Sequence, residues 1–222
     1  QQTAKILYTI YIGMTLFQII LLLIGRIPLF DTLCISFGTA GTGGFGIVND
    51  SMGSYSTYCQ VVTTIFMILF GVNFSAYYLL LTKKFVQAFK FEEVRYYFGI
   101  ILAAILVIGL NTAHLFRNLG EAFQQAAFQV GSIITTTGFS STDFSRWPSL
   151  SKTILVLLMF VGACAGSTGG GIKVSRILIL CKAAKKEFQL YLHPNAVKKI
   201  KMDEKTIGHD IIRSTNIYLS VY

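Results

Sequence analysis

The chain has 222 residues, of which 53% are hydrophobic and only 13% charged, and its formal net charge is +9. A soluble domain carries about 25% charged residues, so the composition excludes an ordinary soluble protein and indicates an integral membrane protein. In a membrane protein the basic residues predict which loops face the cytoplasm, and they do not indicate nucleic-acid binding.

Four apolar stretches are each about as long as a helix that crosses a bilayer. They are residues 6–25, 58–82, 96–113 and 153–180. The fourth is interrupted near its middle by the sequence GACAGSTGGG. Two shorter segments, Leu29–Ala40 and Leu119–Ile134, suit helices that enter the membrane and turn back. No acidic residue falls in any of the four stretches, which argues against proton coupling.

The order of span, short helix, turn and span occurs twice. The first threonine–glycine turn is TAGTGGFG, residues 39–46, and the second is TTTGFSST, residues 135–142. Gly44 and Gly138 lie 94 residues apart in equivalent places, and an acid, Asp50 or Asp143, follows each turn. Internal repeats are a common way to build transport proteins around a site near the middle of the membrane.

The glycines of the first turn fit the dinucleotide pattern G-x-G-x-x-G from Gly41 to Gly46. That reading is rejected because no strand pattern precedes the glycines and no acid lies between Asp50 and Glu92. Irregular backbone at membrane depth must be buried in protein or line a watery path. Carbonyl oxygens in such a turn replace the hydration shell of a cation, and the C-terminal end of the preceding helix favours positive charge. Neither turn contains Lys or Arg, so a cation is favoured over an anion.

Five glycines lie within ten residues of the fourth stretch, and each costs about 1 kcal/mol in a helix relative to alanine. We therefore expect two half-helices joined by a loop, and residues 162–171 are called the glycine-rich loop below. The alternative is close helix packing through small residues.

These turns and this loop resemble the Trk/Ktr/HKT superfamily of potassium uptake proteins, most closely the bacterial Trk-type translocating subunit. The motifs that carry the resemblance are TAGTGGFG, TTTGFSSTDF (135–144) and GACAGSTGGGIKVSR (162–176). The resemblance implies an all-α integral membrane fold of repeated span–pore-helix–filter-loop–span units, similar to potassium channels. In that family four such repeats surround one pore, and this chain resembles the second and third.

The resemblance also implies roles for particular residues. The expected ion-binding filter comprises Thr42, Gly43, Gly44, Phe45, Thr136, Thr137, Gly138 and Phe139. The expected potassium ligands are the backbone carbonyls of Thr42, Gly43, Thr136 and Thr137. The expected gate is Gly162, Ala163, Cys164, Ala165, Gly166, Ser167, Thr168, Gly169, Gly170 and Gly171.

The predicted organisation has two pore repeats, a basic cytoplasmic linker and the start of a truncated further repeat. The corresponding ranges are 1–95, 96–181, 182–207 and 208–222. Lysines cluster between the repeats and in the linker, so both loops are predicted to be cytoplasmic and both turns to face outside.

The predicted function is potassium translocation across a bacterial cytoplasmic membrane, with K⁺ as the transported ion and no cofactor. A sodium- or proton-coupled transporter and a noncatalytic membrane scaffold are the alternatives. No catalytic constellation is evident, so an enzyme is not expected. The resemblance further implies a homodimer that binds a cytosolic nucleotide-binding ring.

Overall fold

The computed structural model describes residues 2–193, 199–203 and 205–222, and nearly all of their regular structure is helical. The helices are α1 (Gln2–Ile24), α2 (Leu29–Ala40), α3 (Thr57–Phe70), α4 (Phe74–Leu81), α5 (Phe85–Lys90), α6 (Glu92–Thr112), α7 (Leu119–Ile134), α8 (Ser149–Val161), α9 (Val174–Leu192) and α10 (His209–Val221). Single 3₁₀ turns occupy Ala113–Leu115 and Phe144–Arg146. A two-stranded antiparallel ribbon pairs β1 (Lys201–Met202) with β2 (Lys205–Thr206).

In the described part of the chain, two helical segments are long and apolar enough to cross a membrane unbroken, Ala4–Ile24 and Glu92–Leu115. Helices α3 and α4 pass the same test only as a pair, and they are bent by 92° at the intervening residues 71–73. The apolar span predicted over residues 58–82 is thus divided into two helices, a break that the sequence analysis does not predict. Asn73 explains part of the break, because its side chain accepts a hydrogen bond from the Ser75 N–H at 2.8 Å and starts a new helix there.

The two short helices begin and end where the sequence predicts. The side chain of Asn118 caps α7 by accepting from the Glu121 N–H at 2.8 Å. Helix α2 begins after Pro28, a residue that suits the start of a helix. Each of these helices ends directly in a threonine–glycine turn, so its C-terminal carbonyl groups lie beside that turn.

Buried apolar side chains form two clusters that follow the repeat. One cluster is built mainly from α1 to α4, and the other mainly from α6 to α9. Phe128 and Phe139 belong to the second unit but pack in the first cluster, which joins the two units.

The fourth apolar stretch is broken, as its glycines predict. Helix α8 ends at Val161 and α9 starts at Val174, so the nonhelical segment includes the glycine-rich loop and two further residues. Helix α9 continues to Leu192, through residue 182, where the composition of the chain becomes basic. Helix α10 packs on α9, with the Arg176 guanidinium 4.1 Å from the centre of the Tyr218 ring.

Candidate functional site

The two threonine–glycine turns have the same backbone conformation. Thr42 and Thr136 both adopt the left-handed region, with φ of 49° and 59°. Two residues later Gly44 and Gly138 do the same, with φ of 66° and 90°. Positive φ is uncommon for threonine, so its recurrence 94 residues apart shows that the sequence repeat is a structural repeat.

The same hydrogen bonds close both turns. In the first turn the N–H groups of Gly43 and Gly44 donate to the Gly38 carbonyl, at 2.7 and 3.3 Å. In the second turn the N–H groups of Thr137 and Gly138 donate to the Ser132 carbonyl, at 2.9 and 3.3 Å. The preceding helix thus holds each turn through its backbone, whatever the side chains are.

The turns meet each other closely. A Cβ atom added to Gly44 would lie 1.8 Å from the Thr137 carbonyl oxygen, so no other residue fits there without movement of the backbone. Beyond the turns, the Met52 N–H donates to the Ser140 carbonyl at 2.8 Å. The structure therefore brings the two predicted sets of filter residues together.

Four carbonyl groups in these turns are available as ligands. Within the described residues, the carbonyl oxygens of Thr42, Gly43, Thr136 and Thr137 accept no hydrogen bond. A carbonyl without a donor at membrane depth is costly unless water or a cation satisfies it. The ends of α2 and α7 also lie here, and the C-terminal dipole of a helix favours positive charge.

The equivalent aromatic residues of the two turns differ in their surroundings. Phe139 is 1% exposed, and its ring covers the face of α2 at Gly38, where an added Cβ would lie 3.0 Å from the ring. Phe45 is 83% exposed. The second turn is thus packed against the first unit, whereas the first turn has an open side.

The glycine-rich loop contacts both turns at their threonines. The Gly170 N–H donates to the Thr136 hydroxyl at 2.7 Å, and the Thr42 hydroxyl donates to the Thr168 carbonyl at 3.1 Å. A Cβ added to Gly169 would lie 2.9 Å from the Thr135 carbonyl oxygen. The loop therefore lies directly against the turns, next to the ends of the short helices.

The loop also docks on the break between α3 and α4. The Cys164 N–H donates to the Gly71 carbonyl at 3.0 Å, and the Phe74 N–H donates to the Gly166 carbonyl at 3.1 Å. Two breaks in two spans thus satisfy each other's backbone groups, as buried irregular backbone requires. The sequence reading missed the first break, although Gly71 and Asn73 in FGVNF are the residue types that signal one.

A buried acid near the loop was also missed. Glu93 lies in the first turn of α6 and is 3% exposed, and its Oε1 accepts from the Ala165 N–H at 2.6 Å. The apolar stretch was placed at residues 96–113, whereas the helix begins at Glu92. The prediction that the spans contain no acid is therefore wrong for α6, which contains Glu92 and Glu93.

A polar network lies beyond the turns, on the side away from the glycine-rich loop. The Gln60 amide donates to the Met52 carbonyl at 3.0 Å and accepts from the Gln124 amide at 2.8 Å. Ser145 hydrogen-bonds to the Asp143 carboxylate and holds its pKa below the ordinary value. Asp143, which follows the second turn, is therefore anionic at neutral pH.

Short helices that end in irregular turns with free carbonyls, together with a broken apolar span, are typical of a helical integral membrane protein. The sequence model of the TrkH family, described as cation transport proteins, matches residues 1–221. The chain belongs to this family.

Several bacterial transport proteins are similar to the chain in sequence or structure. The Trk system potassium uptake protein TrkH of Salmonella typhimurium is 33% identical over all of this chain and 47% of its own length. TrkG of Escherichia coli is 29% identical over 99% of this chain and 46% of its own. The crystal structure of the potassium transporter TrkH from Vibrio parahaemolyticus is 32% identical and superposes with a TM-score of 0.92, over 99% of this chain and 48% of that one. The chain spans about half the length of the curated relatives it matches.

Proposed function

We propose that the chain forms part of a potassium translocation pathway. The observation that carries the proposal is the pair of turns of identical backbone form, which meet and leave carbonyl oxygens of Thr42, Gly43, Thr136 and Thr137 without a donor. Such oxygens replace the hydration shell of a bare cation. Relatives named as potassium uptake proteins support potassium as that cation.

In this proposal the glycine-rich loop is the gate. It contacts Thr42 and Thr136 at the inner end of the turns, and an obstruction there stands in the path of an ion that leaves the carbonyl sites. A nonhelical segment whose contacts come from several neighbouring elements can open locally without unfolding of a whole helix.

Two turns line only part of a ring, so further segments complete the pathway. The exposed Phe45 marks the side on which another turn joins, by analogy with Phe139. A homodimer in a bacterial cytoplasmic membrane and a cytosolic nucleotide-binding ring are part of the same proposal. A cavity of about 190 Å³ lies between α9 and the ribbon, and it is lined by Lys182, Lys185, Lys186, Lys199 and Lys201. These lysines offer a basic surface to such a ring. Lys198 of this basic stretch lies outside the described residues.

A sodium- or proton-coupled transporter is the second candidate, and the buried acid Glu93 is the observation that favours it. Against it, one oxygen of that carboxylate already accepts two backbone N–H groups, from Ala165 and Ser175.

Rubidium uptake tests the proposal in cells that lack other potassium systems and express the complete gene product. Gly44→Ala is expected to abolish uptake, because its Cβ would collide with the Thr137 carbonyl oxygen at 1.8 Å. Gly13→Ala, in α1 with nothing within 4 Å of the added Cβ, is the matched control. Uptake by Gly44→Ala equal to that of the control would contradict the proposal. A flux that depends on a proton or sodium gradient would favour the coupled transporter.

A further inference from the structure

Glu93 is a buried carboxylate with a particular set of partners. It lies in α6, which belongs neither to the turns nor to the glycine-rich loop, and only 3% of it is exposed. A buried charge is retained at a cost of several kcal/mol unless hydrogen bonds and an opposite charge offset it. Its partners therefore show what this carboxylate stabilises.

Both hydrogen bonds join α6 to the segment around the loop. Oε1 accepts from the Ala165 N–H at 2.6 Å, in the middle of the glycine-rich loop. The same oxygen accepts from the Ser175 N–H at 3.1 Å, in the first turn of α9. N–H groups in the first turn of a helix lack partners within the helix, and a carboxylate there also interacts favourably with the helix dipole.

A lysine completes the arrangement. Lys173 adopts φ of 81°, and its ammonium group donates to the Gly169 carbonyl within the loop. One carboxylate thus holds both the loop and the start of α9, and Lys173 adds a separate contact to the loop.

We propose that Glu93 is the positioning residue that latches the glycine-rich loop in its closed form. This role depends on the proposed function, in which the glycine-rich loop is the gate. When the loop leaves the turns, the Ala165 N–H must leave the carboxylate, so these contacts favour the closed form selectively. Removal of the charge shifts the balance towards the open form and leaves the turns intact, because Glu93 contacts neither of them.

Glu93→Gln keeps the shape of the side chain and removes its charge, and Glu92→Gln is the matched control. Glu92 is the preceding residue, and its carboxylate pairs with Lys182 and does not bond to the loop. In the complete gene product, Glu93→Gln is expected to raise rubidium flux per folded molecule by roughly tenfold, as two charge-assisted hydrogen bonds become neutral ones. The potassium-to-sodium ratio should not change, and Glu92→Gln should behave as the parent does.

Thiol labelling separates opening of the latch from general loosening. Cys164 and Cys59 are both fully buried, but only Cys164 belongs to the glycine-rich loop. With Cys34 and Cys181 replaced by serine, Glu93→Gln should accelerate labelling of Cys164 and leave Cys59 unchanged. Equal acceleration at both cysteines, or at neither, would overturn the latch.

The flux experiment distinguishes this failure from failure of the proposed function. Suppose that the parent transports rubidium and that deletion of part of the loop raises its flux, yet Glu93→Gln changes neither flux nor labelling. The loop is then still the gate, and the proposed role of Glu93 is wrong. If the parent transports no rubidium, the proposed function itself is wrong.

Discussion

At the scale of single residues, glycine and threonine hold the turns for different reasons. Gly44 is needed because the other turn approaches it too closely for a side chain. Gly138 has open space around it, with nothing within 4 Å of an added Cβ, but its φ of 90° disfavours any side chain. Two equivalent glycines are thus required by packing in one turn and by backbone conformation in the other.

Gly138→Ser is expected to weaken discrimination of potassium over sodium while transport continues. A serine there is strained at φ of 90° and shifts the neighbouring carbonyls of Thr136 and Thr137. Uptake of both ions by the complete gene product gives the ratio, with Gly13→Ser as the control for the change of residue type. An unaltered ratio would remove Gly138 from the filter.

Gln18 in α1 is fully buried, and neither its Nε2 nor its Oε1 has a hydrogen-bond partner among the described residues. Gln18→Met conserves the volume and removes both polar atoms, so it should raise the free energy of unfolding by about 1 kcal/mol. Gln60→Met should lower it by about 1–3 kcal/mol, because that amide bonds to Met52 and Gln124. Thermal unfolding in detergent checks both. A loss of stability in Gln18→Met would show that its amide is satisfied in the protein.

At the scale of the elements, two broken spans behave as one unit. Neither residues 71–73 nor the glycine-rich loop satisfies all of its own backbone groups, and each supplies part of what the other lacks through Gly71, Cys164 and Gly166. The loop is therefore an element with partners on three sides: the turns, the break after α3, and α6.

Deletion of residues 165–170 should raise ion flux per folded molecule and leave selectivity nearly intact. The deletion removes the contacts to Thr42 and Thr136, while the backbone bonds that close the turns come from α2 and α7 and survive. Flux normalised to folded protein is the measurement. A protein that folds normally without a gain in flux would indicate that the loop is a packing element, as would a large loss of folded protein.

At the scale of the whole molecule, the second pore unit packs against the short helix of the first, whereas Phe45 of the first turn is largely exposed in the described chain. Phe139 inserts against α2, and Phe45 occupies the equivalent place with 83% of its surface exposed. In the proposed pathway, a further pore unit would offer its short helix to Phe45, as α2 does to Phe139.

In the complete gene product Phe139→Ala is expected to lower the free energy of unfolding by about 3 kcal/mol, as large core deletions do. If another pore unit covers Phe45, Phe45→Ala should lower the free energy of unfolding of the complete gene product by a similar amount. The same substitution should lower it far less in a protein of residues 1–222 alone. Chemical unfolding of both proteins measures the two differences. A small effect of Phe45→Ala in both would show that its face meets lipid or water instead.

The sequence by itself determined the membrane class, the repeat, the bounds of α2 and α7, and the break at the glycine-rich loop. These features depend on local properties: mean hydropathy, the φ range that glycine allows, and the order of motifs along the chain. The roles assigned to the turns and the loop came from the resemblance to a family, and they are still predictions.

Only the tertiary structure decided where the second break falls, which turn is covered and what Glu93 does. Each of these depends on partners far apart in the chain: Gly71 with Cys164, Phe139 with Gly38, and Glu93 with Ala165. A carboxylate just before an apolar stretch is normally an interfacial residue, and hydropathy alone ends the span at it. Burial of that carboxylate is possible because a distant loop offers unpaired N–H groups, and a linear pattern does not carry that information.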